Sequence, residues 1–408
     1  MSQFIFKNEI SQQEFDTFAS NHALCNLLQS YNWSKIKSNW GSMHTGVYKD
    51  GQLAGVALVL IKQLPLGFTM FYIPRGPIMD YDDQELVTFF FQQLRKEGKR
   101  HHCLFIKMDP CIEVGVYPSS DTDRPRNGNE KYVSKIEQAG AIHQGFTMTL
   151  NQSIQARFAS ILNKPEDLFA AMPKKTKKLI KEADKRHIEI VSGQEELLDD
   201  FARLVEMTES RKHVSLRNRE YFAHLITAYP NDSIIMLAKC NLKLIMDECN
   251  QRLSTLEEQL AQLPENQKKK RFTLEEQKAS VLKDIHNVQE VIDAVGSDES
   301  RPIAGVLTIR YGRTCEMLYA GMDERFRRFM PQYKTYLENF QWAFDHGVEE
   351  FSMGGVEGTL DDGLTHFKDN FAPMIHEYIG EFDIPVYKLL YKPAKMMYEK
   401  KRQQLKEA

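Results

Sequence analysis

The sequence predicts a mixed α/β protein built from two copies of one α/β unit, with a helical arm inserted in the second copy. The first copy shows a β-hairpin pattern, in which strands 45–48 and 53–60 flank a tight turn with an Asp-Gly pair at 49–52. The second copy repeats this pattern at 233–239 and 302–309, but a long insertion separates its strands. The insertion has heptad spacing, so it predicts helices.

A short sequence match supports the two-copy interpretation. Residues 54–56 and 304–306 both read Ala-Gly-Val, and both occupy the start of the second strand of a hairpin. Chance similarity between two apolar strands is the alternative. A true repeat predicts two similar domains.

The inserted segment 241–296 predicts an antiparallel coiled-coil arm. Apolar residues alternate at four and three positions in its first half, at Leu242, Met246, Cys249, Leu253, Leu256, Leu260 and Leu263. The spacing resumes after Pro264, at Leu274, Val281, Ile285, Val288, Ile292 and Val295. Because proline cannot continue a helix, the simplest structure is two helices joined by one turn.

Further helices and strands fit the same α/β plan. Helices are predicted at 11–22, 85–99, 195–212 and 332–346, and strands at 68–73, 103–108 and 316–320. The predicted domains are residues 1–150, residues 151–240 together with 297–408, and the arm at 241–296.

Composition excludes several classes of protein. The 408 residues carry a net charge of −3 and include six scattered cysteines. No apolar run reaches the roughly 18–20 residues that a bilayer crossing requires, and the N-terminus lacks the pattern of a signal peptide. We therefore expect a cytoplasmic protein without a metal site. No amphipathic membrane anchor stands out in the sequence.

A polyanionic partner would have to bind local basic patches, since the whole chain is slightly acidic. Two patches are candidates for nucleic-acid contact: Lys174, Lys175, Lys177, Lys178 and Lys181 in the first, and Lys268, Lys269, Lys270 and Arg271 at the tip of the predicted arm. A solvated helix face and a solvated turn are the alternatives.

Three short motifs suggest functional residues, each with a structural alternative. Arg75, in a proline-rich turn after a strand, either lines a cleft or braces the two domains. Asp109, before a proline, acts either as a base or as the cap of a turn. Gly354 and Gly355 permit either close approach to a ligand or a tight turn.

Several motifs together resemble the Fem aminoacyltransferases, which build the cross-bridges of peptidoglycan, and look closest to the streptococcal MurM branch. The resemblance covers nearly the whole chain. It rests on Gln29-Ser30 with Trp33 and Lys37, on 72–77, on Asp109-Pro110, on 325–331, on Trp342-Ala343 and Gly347, on 354–356, on Phe367-Lys368 with Phe371, and on 378–381.

The resemblance implies two tandem acetyltransferase-like (GNAT-type) domains and a specific reaction. Such a protein transfers an amino acid, here alanine or serine, from aminoacyl-tRNA to the side-chain amine of the stem-peptide lysine of a peptidoglycan precursor such as lipid II. It needs no cofactor, because aminoacyl-tRNA is the donor. A lipid-linked acceptor implies peripheral contact with the inner face of the membrane.

The resemblance also assigns residues. Lys37, with either Arg211 or Arg217, corresponds to the basic residues that bind the precursor's diphosphate, and Trp33 belongs to the same segment. Phe367 and Lys368 correspond to the transfer site, and Asp109 to a candidate base. This sequence departs from the usual pattern at Gln155-Ala156-Arg157 and at Ser352, where the family often has aspartate.

The chemistry makes two demands on such a site. A lysine amine, with a pKa of about 10.4, is mostly protonated at neutral pH, so either Asp109 or a group of the substrate itself must accept its proton. Attack on the ester gives an oxyanion, which Lys368 would stabilise.

Two other functions fit parts of the sequence. A coenzyme-A-dependent N-acyltransferase would share the fold, but the segment 325–331 lacks the glycines of a pyrophosphate loop. A non-enzymatic coiled-coil interaction protein would explain the heptads alone.

Overall fold

The structure is a computed structural model that describes residues 3–212, 217–297 and 300–407. Within these residues the strands form two mixed sheets of eight strands each, flanked by helices. The strands are β1 Phe4–Lys7, β2 Gly41–Lys49, β3 Gln52–Gln63, β4 Thr69–Ile73, β5 Ile78–Met79, β6 Cys103–Met108, β7 Glu113–Tyr117, β8 Ile142–His143, β9 Phe158–Asn163, β10 Glu189–Gly193, β11 Ser233–Cys240, β12 Arg301–Tyr311, β13 Thr314–Met322, β14 Glu350–Val356, β15 Met374–Tyr378 and β16 Phe382–Pro385.

The helices cover the faces of the two sheets and form the inserted arm. They are α1 Gln12–Asn21, α2 Trp33–Ile36, α3 Gln84–Arg100, α4 Lys131–Gln138, α5 Leu168–Ala171, α6 Lys174–Lys185, α7 Leu198–Lys212, α8 Arg219–Ala228, α9 Leu242–Ala261, α10 Lys268–Val295, α11 Pro331–Asp345, α12 Gly363–Asp369 and α13 Lys388–Glu407. Among the described helices, none combines the length and apolarity needed to cross a membrane.

The two sheets share one plan, which supports the predicted repeat. The first has the strand order β1-β2-β3-β4-β6-β16-β8, and the second has β10-β11-β12-β13-β14-β9-β15-β7. In each, four antiparallel strands are followed by a crossover helix, α3 or α11, and by a strand parallel to the fourth, β6 or β14. The first predicted hairpin is confirmed as β2 and β3, and the split hairpin as β11 and β12.

Local sequence explains why the crossover helices begin where they do. Asp83 caps α3 by accepting a hydrogen bond from the Leu86 backbone N–H at 3.0 Å, and Phe90 and Leu94 on the same helix are fully buried. Helix α11 begins with Pro331. Proline is favourable there because a backbone N–H in the first turn of a helix has no hydrogen-bond partner within the helix, so its absence costs nothing. The same helix buries Phe340.

Strand exchange links the two domains across the predicted boundary at residue 150. Strand β7 comes from the N-terminal half but adds to the second sheet by pairing with β15. Strand β16 comes from the C-terminal half but adds to the first sheet by pairing with β6. The sheets therefore differ from the predicted division into 1–150, 151–240 and 297–408, because strand periodicity does not reveal which strand is the partner.

The inserted arm is a helical hairpin of α9 and α10. Its apolar seam buries Leu256, Leu274 and Val281, and Lys278 forms an ion pair with Glu257 across the helices at 2.8 Å. At its base the two helices pack against the second sheet through a buried cluster that includes residues of α9 and α10. The chain turns between Ala261 and Lys268, as the proline predicts.

A shared apolar core holds the two domains together. One buried cluster combines Leu27 and Leu60 of the first domain with Phe201 and Leu225 of the second. Each buried side chain of this size contributes about 1.5–3 kcal/mol. Hydrogen bonds cross the same interface, including one of 2.6 Å between the hydroxyls of Ser30 and Tyr229. Buried contacts therefore fix the two domains against each other.

Candidate active site

The second sheet opens between β13 and β14. These parallel strands pair only over Thr314–Glu316 with Glu350–Ser352. On its other edge β14 pairs with β9 from Glu350 to Val356, and the register shifts between Ser352 and Gly355, where Gly354 has a φ of +82° that suits glycine. Strand β13 meanwhile continues beside β12. The divergence leaves a wedge between the two strands.

Lys368 lies at this wedge. It is on α12, which Asp362 caps by accepting hydrogen bonds from backbone N–H groups of the first turn. Its side chain is only 3% exposed, and its Nζ donates to the carbonyl oxygens of Gly354 and Gly355, each at 2.9 Å. A buried ammonium needs such partners, so the register shift in β14 is what holds this positive charge in place.

Glu316 faces the same wedge and was missed in the sequence analysis. It is the last residue of β13 that pairs with β14, and it is partly exposed. Burial raises the pKa of its carboxyl, while the side chains of Ser352 and Asn26 and the charges of Arg75 and Lys368 oppose the shift. A carboxylate beside a buried lysine is a candidate proton acceptor.

The surroundings of Ser352 explain what changes when serine replaces the aspartate that the family often has at this position. Its hydroxyl interacts with Glu316 and also accepts a hydrogen bond from the Gly354 backbone N–H at 3.1 Å. An aspartate at this position would place a second carboxylate beside Glu316, and like charges at that distance raise each other's pKa. Serine leaves Glu316 as the carboxylate at this point of the wedge.

Asp109 and Arg75 form a buried unit at the end of β6. Asp109 accepts hydrogen bonds from the Tyr72 hydroxyl at 2.7 Å and from the Arg75 backbone N–H. Burial raises the pKa of Asp109 to about 7, the positive charge of Arg75 opposes that shift, and Glu381 adds to it. Asp109 is thus poised to titrate near neutral pH, but it is enclosed by its partners.

The Arg75 side chain bridges the two domains. Its Nη2 donates to the Ala156 carbonyl oxygen at 2.7 Å, and its guanidinium lies 4.6 Å from the centre of the Tyr378 ring. Arg75 also has a left-handed backbone, with φ of +53°, which is uncommon for a residue with a side chain. Of the two sequence-based interpretations, this geometry favours the brace.

Lys37 and Arg217 are a basic pair, two cations from different domains that influence each other. Burial lowers the pKa of Lys37, and the positive charge of Arg217 lowers it further. The Arg217 guanidinium lies 5.1 Å from the centre of the Tyr221 ring, and it also interacts with the Tyr319 hydroxyl. Among the described side chains, no carboxylate forms an ion pair with either cation, so together they are suited to bind an anion.

Arg211 lies in a different environment. Its guanidinium forms an ion pair with Glu324, so its charge is already compensated. This pairing favours Arg217 over Arg211 for the predicted contact with diphosphate, which stays a prediction. Residues 213–216, inside the same predicted segment, lie outside the described residues.

The basic pair and the wedge lie along one strand. Glu316 and Tyr319 both belong to β13, and three residues of a strand span roughly 10 Å. Asn26, from the first domain, interacts with Glu316, and Arg217 interacts with Tyr319. Arg217 therefore meets β13 at a residue roughly 10 Å along the strand from Glu316.

Three other predicted site residues are closely packed against neighbouring side chains. Trp33 is a core residue, 6% exposed, that packs α2 into the shared cluster just before Lys37. Its contact with substrate stays a prediction. Phe367 packs among aromatic rings, including Tyr336 at 5.3 Å between centroids. Gly355 faces Ala156 so closely that an added Cβ would lie 2.3 Å from the Cβ of that residue.

The two basic patches lie on exposed surfaces. Helix α6 buries Thr176, Ile180 and Ala183 and exposes most of its lysines. Thr176 donates a hydrogen bond to the Asn370 carbonyl oxygen, so α6 flanks the segment that carries Lys368. Lys268, Lys269 and Lys270 are exposed at the tip of the arm, and Arg271 donates to the Leu263 carbonyl oxygen at 3.2 Å.

Comparisons with known proteins identify the family. Residues 10–399 match the FemAB family. The chain belongs to the FemAB family. The lipid II:glycine glycyltransferase of Staphylococcus haemolyticus is 26% identical over 411 residues, which cover 94% of both chains. The aminoacyltransferase FemA of Staphylococcus aureus is 27% identical over 407 residues, covering 94% of this chain and 96% of FemA.

The fold of this FemAB protein also has a solved counterpart. The crystal structure of FemX aligns with a TM-score of 0.75 and 25% identity over 97% of this chain and 100% of FemX. The predicted architecture of two tandem GNAT-type domains is confirmed, and so is the predicted enzyme class, an aminoacyltransferase. The predicted relation to the MurM branch stays a prediction.

Proposed function

We propose that this FemAB protein transfers an alanyl or seryl group from aminoacyl-tRNA to the side-chain amine of the stem-peptide lysine of lipid II, building the peptidoglycan cross-bridge. The observation that carries the proposal is the gathering of charged side chains along β13, with Lys37 and Arg217 near Tyr319 and Lys368 near Glu316. Lipid II is chosen as the acceptor because a relative of this chain is a lipid II:glycine glycyltransferase.

The acceptor's diphosphate is held at the basic pair. Lys37 and Arg217 present two close cations beside the hydroxyls of Tyr221 and Tyr319, a set of donors suited to phosphate oxygens. Their mutual repulsion, which lowers the pKa of Lys37, is relieved when an anion binds between them. The stem peptide then extends along β13 toward the wedge.

The reaction requires the lysine amine to lose a proton before it attacks. Glu316 accepts that proton, since it is partly exposed at the wedge, whereas Asp109 is enclosed by Tyr72 and Arg75. The amine nitrogen forms a bond to the ester carbonyl carbon, and the carbonyl becomes an oxyanion. The bond from that carbon to the ribose oxygen then breaks, and the ribose hydroxyl leaves with the proton from Glu316. The ionised Glu316 takes the remaining excess proton from the new amide nitrogen and releases it to water.

Lys368 stabilises the oxyanion. Its ammonium is fixed by two carbonyl oxygens before substrate binds, so little reorganisation is needed when negative charge develops. Asp109 then has a positioning role, because it fixes the Arg75 backbone and so the brace between the domains.

The donor tRNA lies along α6, with a second contact at the arm tip. Helix α6 flanks the Lys368 segment, and its exposed lysines suit phosphate contacts. The arm tip adds Lys268, Lys269 and Lys270 with the exposed ring of Phe272. The enzyme works in the cytoplasm and touches the inner face of the membrane where lipid II is anchored.

Two observations weigh against the alternative functions. The segment before α11 ends in Met330, is followed by Pro331 and carries no glycine, so it lacks the backbone amide cradle of a coenzyme A site. A coiled-coil scaffold would not need charged groups such as Lys368 and Glu316 gathered at the wedge, away from the arm.

A transfer assay tests the proposal. Purified protein is incubated with alanyl-, seryl- or glycyl-tRNA, each radiolabelled on the amino acid, and with lysine-containing lipid II. The expected result is a new amide on the lysine with alanine or serine, none with labelled acetyl coenzyme A, and none when acetylated lysine replaces lysine in the acceptor. Amide formation only from coenzyme A, or from no donor, would overturn the proposal.

A further inference from the structure

The C-terminal helix α13 has one face packed on the protein and one exposed apolar face. Inward, the rings of Tyr391 and Tyr398 contact Phe105 of β6, with centroids 5.9 and 6.0 Å apart. Outward, Leu389 is 94% exposed, and Met396 and Met397 are 68% and 70% exposed. These positions recur at helical spacing on the side opposite the packed tyrosines, so folding of the domain does not explain them.

The same helix concentrates positive charge. Residues 388–407 contain seven Lys or Arg against two Glu, in a chain whose net charge is −3. Exposed lysines flank the apolar side chains at Lys388, Lys392, Lys400 and Lys401. An apolar stripe bordered by lysines is the pattern of helices that lie in the surface of an anionic membrane.

Another exposed apolar residue, outside α13, lies near the start of that helix. Leu66, in the turn between β3 and β4, is 93% exposed and has a left-handed backbone with φ of +62°. The end of this turn is close to the first residues of α13, because the Thr69 N–H donates to His102 at 3.1 Å and the Val386 N–H donates to Leu104 at 3.2 Å. An exposed leucine at a turn tip adds nothing to the core.

We propose that this face docks on an anionic phospholipid bilayer. The docking face comprises the apolar side chains of Leu66, Leu389, Leu390, Met396 and Met397 and the lysines 388, 392, 400 and 401. The apolar side chains enter the boundary of the acyl chains, and the lysines contact anionic headgroups. The inference rests on the proposed function in that a lipid-linked acceptor lies in such a surface.

Charge favours a membrane over a second copy of the chain. A symmetric dimer through the docking face would bring two sets of lysines together, because the same patch faces itself in such an interface. Neither set would find compensating carboxylates in the other, since Glu399 and Glu407 are the acidic residues of the helix. An anionic lipid surface supplies the missing negative charge.

Vesicle sedimentation tests the docking face in the full-length protein. The vesicles contain phosphatidylcholine alone or phosphatidylcholine with phosphatidylglycerol. One variant combines Leu389→Ser, Met396→Ser and Met397→Ser, and another combines Lys392→Glu, Lys400→Glu and Lys401→Glu. The matched control is Phe272→Ser, which removes an exposed apolar ring from the arm tip.

We expect the wild type and the control to bind the anionic vesicles and both triple variants to bind at least about tenfold more weakly. Melting temperatures should stay unchanged, because all six positions face outward. Equal sedimentation of all proteins would overturn the docking face. So would light scattering that shows a wild-type dimer separated by the serine variant, since the face would then join two copies.

Activity measurements separate this inference from the proposed function. The serine variant should transfer normally to a water-soluble, nucleotide-linked acceptor, but with a KM at least about tenfold higher for lipid II in anionic vesicles. Vesicle binding without transfer to either acceptor would contradict the proposed function and leave the docking face standing. Normal transfer to both acceptors would contradict the docking face alone.

Discussion

The two sheets follow one plan but differ where antiparallel pairing gives way to parallel pairing. In the first sheet, β4 and β6 stay paired from Thr69 with Cys103 to Ile73 with Met108. In the second, β13 and β14 separate after Glu316 and Ser352. One copy of the unit is therefore closed and the other is open at the same place in the fold.

The residues at the two places differ accordingly. At the closed end, Asp109 accepts hydrogen bonds from the Tyr72 hydroxyl and the Arg75 backbone N–H. The Arg75 side chain in turn braces the domains. At the open end, Lys368 and Glu316 border a space between strands. The comparison assigns the proposed chemistry to the second domain, while the first domain supplies the brace and Lys37 of the proposed anion site.

The strongest test of this division is Lys368→Met. Loss of a fixed positive charge at the oxyanion should lower kcat by about 10²–10³-fold, with KM values for both substrates little changed. Steady-state kinetics with saturating tRNA measure the effect, and thermal melts check the fold. His366→Ala, an exposed change on the same helix, is the matched control.

Lys368→Arg adds a second measurement at the same site. It keeps the charge but alters its geometry, so kcat should recover in part. If the Lys368→Met enzyme keeps a nearly normal kcat and an intact fold, the oxyanion is stabilised somewhere other than the open end of the second sheet. The functional contrast between the two sheets would then be wrong.

The next test compares the carboxyl groups of the two ends. Glu316→Gln should lower kcat about 10²-fold, because it removes the proton acceptor, whereas Asp109→Asn should have a smaller effect. The base must be ionised, and burial raises the pKa of Glu316 above its usual value. Activity should therefore fall as the pH drops through that raised pKa, and Glu316→Gln should lose this dependence.

The pH profile also tests the opposite assignment. The pKa of Asp109 is about 7, so a profile that falls below pH 7 and becomes flat in Asp109→Asn but not in Glu316→Gln would make Asp109 the base. That result would move part of the chemistry to the closed end.

A third test concerns the anion site between the domains. Lys37→Ala and Arg217→Ala should each raise the KM for the acceptor about tenfold with little change in kcat, because they remove charged hydrogen bonds to phosphate. Arg211→Ala is the matched control, since Arg211 is paired with Glu324 and not with Lys37. Equal effects of Arg211→Ala and Arg217→Ala would contradict the choice between the two arginines.

Much of the fold was predictable because it depends on local patterns. The heptads of the arm, the Asp-Gly turn before β3 and the apolar strands at its borders each have a characteristic period. Strand exchange was not predictable in this way, because β7 and β16 look like ordinary strands and only pairing shows which sheet they join.

The site was predictable only where the family resemblance reached. Lys37, Lys368 and Asp109 came from that resemblance, while Glu316 was missed because a glutamate in a strand usually faces solvent. Its role depends on the divergence of β13 and β14, whose paired residues are 36 positions apart in the sequence, so no local pattern encodes it. The exposed face of α13 was missed for a related reason: the packed tyrosines and the outward leucine and methionines cannot be told apart before packing is known.

The smallest expected effect concerns tRNA contact beside the open end. Lys178 and Lys181 are exposed on α6, and within the described residues neither forms an ion pair. Replacing both with alanine should raise the KM for aminoacyl-tRNA a few-fold and lower the slope of log KM against log salt by about one for each lysine, because phosphate contacts release counterions. Lys185→Ala is the matched control, since Lys185 is paired with Glu182 at 2.9 Å. An unchanged salt slope would mean that the donor approaches the open end from another side, leaving the arm tip as the remaining basic surface for it.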